Sequence, residues 1–157
     1  MLFNSLTFIL FFALVLFLHY LPLPWRVKKF NLLIASYLFY AAWNPPFVAL
    51  LWFSTVVDWV AARRMSQATG LGRRGWLLVS LCANLGLLGF FKYGGFLLDN
   101  FVLALSMAGI DYQPAAPDII LPVGISFYTF QTLSYTLDVY RGKMTPWRSP
   151  LDFALYV

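Results

Sequence analysis

Long apolar runs separated by short polar or proline-bearing breaks set the pattern of this chain. Residues 2–21 carry no acid, lysine or arginine. The run ends at Pro22-Leu23-Pro24, because proline lacks the amide hydrogen a helix needs and biases the residue before it away from helix. About 20 such residues cross roughly 30 Å of hydrocarbon, so 2–21 predicts a first spanning helix. No basic residue precedes it and no small-x-small cleavage pattern follows it, which predicts a retained anchor, not a cleaved signal. Residues 31–43, stopped by Asn44-Pro45-Pro46, and residues 47–62 predict two more helices. Both are short for a full crossing and are expected to lean on thinned bilayer or neighbours. Residues 76–108 are too long for one straight crossing at about 1.5 Å per residue. Lys92-Tyr93-Gly94-Gly95 marks the expected kink or re-entrant turn. A polar loop over 111–118, with Pro114 and Pro117, leads to a last crossing over 119–140. The fold class expected is therefore all-α: one polytopic transmembrane bundle.

Composition sharpens that reading. Of 157 residues, 61% are hydrophobic, 20% aromatic and 11% charged, and the mean hydropathy is +0.74. Soluble domains are roughly 25% charged, so a globule in water, a disordered tail, a nucleic-acid module and a disulfide scaffold are all excluded. The single cysteine, Cys82, can form no disulfide within the chain. The net charge of +5 is carried in clusters beside the apolar runs: Arg26, Lys28 and Lys29; Arg63 and Arg64; Arg73 and Arg74; Arg141, Lys143 and Arg148. Only Lys92 interrupts an apolar stretch. Membrane proteins keep such clusters on the cytoplasmic side. Loops 22–30, 63–75 and 141–150 are then inside, and the Asn44 turn and the 109–118 loop outside. Five crossings follow, with the N-terminus outside and the C-terminus inside.

Few positions offer chemistry. Gly70-Leu71-Gly72-Arg73-Arg74-Gly75 has dinucleotide-loop spacing, but that motif works only between a strand and a helix. It reads instead as a juxtamembrane loop whose arginines meet anionic headgroups. His19, the one histidine, reads as a headgroup contact or a packed ring, and Cys82 as a small hydrophobe. No metal-ligand cluster can be assembled. At helical spacing, Tyr128, Gln131, Thr132, Tyr135 and Asp138 share one face of the last crossing. Val123, Phe127, Phe130, Ser134 and Leu137 lie on a separate, mostly apolar face. Polar groups in hydrocarbon face a bundle interior or a wet cavity. The stripe is thus either interhelical glue or the lining of a substrate passage, and the two can coexist. Lys92 either attracts an anionic donor or acceptor, or snorkels to an interface. Asp58 and Asp99 are expected to be buried partners of nearby cations.

Several ordered stretches carry a resemblance. They are Leu121-Pro122-Val123-Gly124-Ile125-Ser126-Phe127-Tyr128-Thr129-Phe130-Gln131-Thr132-Leu133-Ser134-Tyr135 through Asp138-Val139-Tyr140-Arg141-Gly142, Ser36-Tyr37-Leu38-Phe39-Tyr40-Ala41-Ala42-Trp43-Asn44-Pro45-Pro46-Phe47, and Phe90-Phe91-Lys92-Tyr93-Gly94-Gly95-Phe96-Leu97-Leu98-Asp99-Asn100-Phe101. With the opening Met1-Leu2-Phe3-Asn4-Ser5-Leu6-Thr7-Phe8, they resemble bacterial membrane-bound O-acyltransferases (MBOAT family) of the alginate O-acetylation type.

The resemblance implies the N-terminal part of a helical ring around a tunnel, lined in this chain by Tyr128, Gln131, Thr132, Tyr135, Asp138 and Lys92. It implies no bound cofactor and a thioester acyl donor, acetyl-CoA or an acyl carrier. The implied acceptor is a hydroxyl of an exported polysaccharide, alginate first, then teichoic acid or peptidoglycan. The family's essential histidine, its general base, falls beyond Val157, and His19 does not match it. No catalytic residue is therefore expected within the chain, which alone should not transfer acyl groups. The implied partners are membrane lipids, the C-terminal remainder of the enzyme and polysaccharide-modification proteins, with no nucleic acid. The competing reading is a non-enzymatic membrane subunit of a transport or envelope-assembly complex.

Overall fold

Ser5 opens the first helix, its Oγ accepting the Phe8 amide at 3.2 Å. In the computed structural model, which describes residues 5–112, 114 and 120–157, that helix is α1, Leu6–Tyr20. Residues 2–4 of the expected first helix, loop positions 113 and 115–118, and Ile119 lie outside the described residues. Five helices follow: α2 (Trp25–Ala41), α3 (Pro46–Gln67), α4 (Gly70–Met107), α5 (Ile125–Tyr140) and α6 (Pro150–Tyr156). Among the described residues there is no strand. α3 and α4 are long and apolar enough to cross a membrane, while α1 is apolar but shorter.

Several boundaries differ from the sequence expectation, each for a local reason. α2 begins at Trp25, six residues before the expected 31, so Arg26, Lys28 and Lys29 sit in its first turns. Arginine and lysine are good helix formers, and Pro24 fixes the entry angle. The loop expected over 63–75 shrinks to Ala68 and Thr69, with Arg63, Arg64, Arg73 and Arg74 all helical. No re-entrant turn forms at Lys92–Gly95: α4 is helical through Lys92-Tyr93-Gly94-Gly95. Glycine costs a helix about 1 kcal/mol but keeps its amide, and neither Gly94 nor Gly95 takes a positive φ. The last crossing starts at Ile125 instead of 119, held back by Pro122 and by Gly124 at φ 76°.

α3, α4 and α5 pack on one another around Ala61, Ala62, Met65, Leu88, Ile125, Tyr128, Tyr135 and Val139, with Phe153 of α6 closing one end. α2 touches α3 and α6, and α1 touches α2 alone. Phe91 meets Phe47 edge-to-face at 6.0 Å, which puts it level with the start of α3. The remainder of α4, residues 92–107, therefore runs on for about 24 Å past α3.

The helix ends sort by charge. Arg73 Nη2 donates to the Tyr140 carbonyl at 2.5 Å and to the Val139 carbonyl at 3.3 Å. Lys29 pairs with Asp152 at 2.5 Å. The Arg63 guanidinium lies 4.8 Å from the Trp59 ring centroid, and Trp59 Nε1 donates to the Trp147 carbonyl at 3.0 Å. Four basic clusters that are distant in sequence thus meet at one end. The opposite end holds the Asn44 turn and the entry to α5, where the Tyr40 hydroxyl donates to the Val123 carbonyl at 2.9 Å.

Candidate functional site

The interior of the α3–α4–α5 unit is polar. Ser54 and Asp58 on α3, Ser80 and Asn84 on α4, and Thr132 and Thr136 on α5 are each four residues apart, which puts each pair on one helix face. All six are 0–1% exposed. Ser80 Oγ donates to Asp58 Oδ1 at 2.5 Å, and Asn84 Nδ2 reaches both Asp58 oxygens at 2.8 Å. Ser54 Oγ donates to Asn84 Oδ1 at 2.7 Å, and Thr132 Oγ1 reaches the same oxygen at 3.4 Å. Thr136 Oγ1 donates to the Thr132 carbonyl at 2.9 Å. The seam ties three helices together: the Asp58 carboxyl binds α4, and Asn84 and Ser80 of α4 meet Thr132 and Thr136 of α5 at 3.4 Å.

This corrects the expectation for Asp58. Its partners are neutral hydrogen-bond donors, and no cation pairs with it among the described residues. In an apolar interior, hydroxyls and an amide satisfy the carboxyl oxygens without burying a second charge. The signal was present in the sequence as polar pairs at i and i+4 inside apolar runs, on α3 and α4 as well as on the last crossing.

The stripe on the last crossing has several surroundings. Tyr128, Thr132 and Tyr135 are buried, whereas Gln131 and Asp138 are half-buried. Thr132 belongs to the seam. Tyr128 packs with Leu88 and Ile125, and its hydroxyl has no hydrogen-bond partner among the described residues. Tyr135 Oη accepts the Trp147 amide at 3.0 Å, and the Gln131 amide donates to the Tyr156 carbonyl. Lys92 is exposed, with Nζ 3.4 Å from Ser126 Oγ and 5.5 Å from the Tyr93 ring centroid. It sits at the α5 entry, away from the other cations. On the opposite face Phe127, Phe130 and Ser134 of α5 and the preceding Val123 are exposed, and Leu137 is half-buried. The helix thus buries Thr129, Thr132 and Thr136 with Tyr128 and Tyr135, and displays Phe127 and Phe130.

The decoy positions are accounted for. Gly70–Gly75 forms the first turns of α4 and follows a helix, not a strand. His19 meets the rings of Tyr20 and Trp25 edge-on at 6.1 and 6.3 Å. Cys82 is exposed on α4. At the basic end an open groove of about 630 Å³ lies between α2 and α6.

Over its whole length the chain is 38% identical to the probable alginate O-acetylase AlgI of Pseudomonas syringae pv. tomato and 38% identical to that of Azotobacter vinelandii, covering 30% and 32% of those proteins. Over 90% of its length it is 38% identical to the peptidoglycan O-acetyltransferase of Helicobacter pylori, covering 27% of that protein. The chain therefore spans about 30% of the length of the curated relatives it matches. No family model and no solved structure matches it.

Proposed function

We propose, starting from the chain's whole-length relationship to the N-terminal part of O-acetyltransferases of the alginate O-acetylase type, that it forms part of the membrane wall of such an enzyme. The enzyme moves an acetyl group from a thioester donor at the cytoplasmic face to hydroxyls of an exported polysaccharide. The observation carrying this reading is the 38% identity extending over the entire chain. Relatives named as transferases favour this reading over a non-enzymatic subunit.

The physics of the fold supports the placement. Exposed rings and aliphatic side chains, such as Phe12, Phe17, Phe96, Phe127 and Phe130, each at least 50% exposed, suit lipid or further protein, not water. The common basic end lies on the cytoplasmic side of the inner membrane, the N-terminus is outside, and the chain passes through more than once. The field of that end concentrates an anionic donor such as acetyl-CoA. In the transfer, the acceptor oxygen bonds to the acyl carbon and the thiolate leaves. The hydroxyl proton passes to a histidine contributed from outside these residues. Tyr128, Gln131, Thr132, Tyr135, Asp138 and Lys92 border the acyl path in the full enzyme, and the seam fixes the helix that carries most of them. Polysaccharide-modification proteins receive or present the polymer.

The test is cellular. The full-length coding region is expressed in a bacterium whose own polysaccharide O-acetylase gene is deleted, and ester-linked acetate on exported alginate and on peptidoglycan is measured by NMR. Acetyl esters return on one polymer if the proposal holds. Their absence from both, with the protein present in the membrane fraction, refutes it.

A further inference from the structure

We propose that the groove between α2 and α6 binds the headgroup phosphate of an anionic phospholipid. The groove, about 630 Å³, is walled by Trp25 and Leu32 of α2, Leu155 of α6, and Trp147 and Arg148 of the preceding loop. Lys29 and Asp152 also line it, and they neutralise each other at 2.5 Å. Arg148 therefore carries the surplus charge. It is exposed, and no carboxylate pairs with it among the described residues. An uncompensated guanidinium at a groove rim is a bidentate phosphate ligand.

The walls separate a lipid from a free phosphate. From Trp25 to Leu32 the groove follows α2 for seven residues, about 10 Å along the helix. On that face Lys29 is already paired with Asp152, and Trp25 and Leu32 give a small anion nothing but give an acyl chain a surface to cover. Trp25 remains 62% exposed at the basic end, where amphipathic rings sit at headgroup level. Basic pockets between membrane helices on the cytoplasmic side are the known setting for acidic headgroups. The site rests on the membrane placement proposed above, and on no part of the acyl-transfer chemistry.

The natural full-length gene product is reconstituted into nanodiscs of equal phosphatidylglycerol and phosphatidylethanolamine, and retained lipid is read by native mass spectrometry. Arg148→Gln is compared with Arg141→Gln, an exposed cation at the same end but outside the groove. Retention of phosphatidylglycerol by the wild type, lowered about fivefold by R148Q and unaltered by R141Q, supports the site. Equal retention of the two lipids, or an R148Q protein indistinguishable from wild type, overturns it. Displacement of the lipid by inorganic phosphate or coenzyme A assigns the groove to a free phosphate and overturns it as well. Protein that leaves the membrane fraction during cell lysis refutes the underlying placement, and this outcome is read separately from lipid retention.

Discussion

Replacing Asn84 by leucine tests whether the polar seam holds the three helices together. The side chain donates to Asp58 Oδ2 at 2.8 Å, the one bond within hydrogen-bond distance to that oxygen among the described residues, and accepts the Ser54 hydroxyl at 2.7 Å. Asp58 Oδ1 keeps Ser80 at 2.5 Å. Asn84→Leu therefore strands one carboxyl oxygen and one hydroxyl, both fully buried. Each stranded group costs about 1–3 kcal/mol. The Ser54 hydroxyl can recover part of this by bonding back to its own helix, so the net expectation is a loss of about 2–3 kcal/mol. Asp58→Leu with Asn84→Leu removes acceptor and donor together and leaves hydroxyls that can bond back in the same way. The double variant should thus lie about 2 kcal/mol above the sum of the singles, a coupling large for a membrane interior, where interhelical hydrogen bonds average about 0.6 kcal/mol. The assay is reversible unfolding in mixed detergent micelles, followed by tryptophan fluorescence, on the four members of the cycle. An N84L variant within about 0.5 kcal/mol of wild type, or strictly additive singles, refutes the reasoning.

Three further outcomes are expected. Gly124→Ala meets no atom within 4 Å of the added carbon but must hold φ 76°, so it should cost roughly 1–2 kcal/mol through backbone strain alone, read as a lowered midpoint in the same unfolding assay. Arg73→Gln removes the guanidinium that caps the Tyr140 carbonyl at 2.5 Å and should cost about 1 kcal/mol, whereas Arg74→Gln, an exposed neighbour, should cost nothing measurable by thermal denaturation in detergent. Gln131→Leu and Asp138→Leu in the full-length enzyme should lower polymer acetylation at unchanged protein level. Full acetylation by both variants removes these two half-buried positions from the acyl path.

Much of the architecture is legible from hydropathy alone, because spans of apolar residues leave no fold in water. The helix ends are less legible, for specific reasons. Lysine and arginine read as loop, yet they extend α2 back to Trp25 and α3 and α4 to within two residues of each other. Gly94 and Gly95 read as a kink or a re-entrant turn, yet α4 continues as helix through both. The stripe on the last crossing was legible as a polar face. Its partners on α3 and α4 were not, because single serines and asparagines in apolar runs look incidental until their spacing is compared across helices. Asp58 shows the limit most plainly. A lone aspartate in an apolar run invites a cation, and what meets it is Ser80 and Asn84. The assignment of Lys92 to the α5 entry depended on its contact with Ser126, which no one-dimensional pattern contains.

Vectorial acyl transfer is the central claim, and it can be measured directly. The full-length gene product is reconstituted in proteoliposomes of known orientation, with isotopically labelled acetyl thioester on the face carrying Arg63, Arg73 and Arg148 and alginate or peptidoglycan oligomers on the other. Base-labile label on the oligomers across the bilayer is the result predicted. Label that reaches them only when the donor is supplied on their own side, or not at all, contradicts the account.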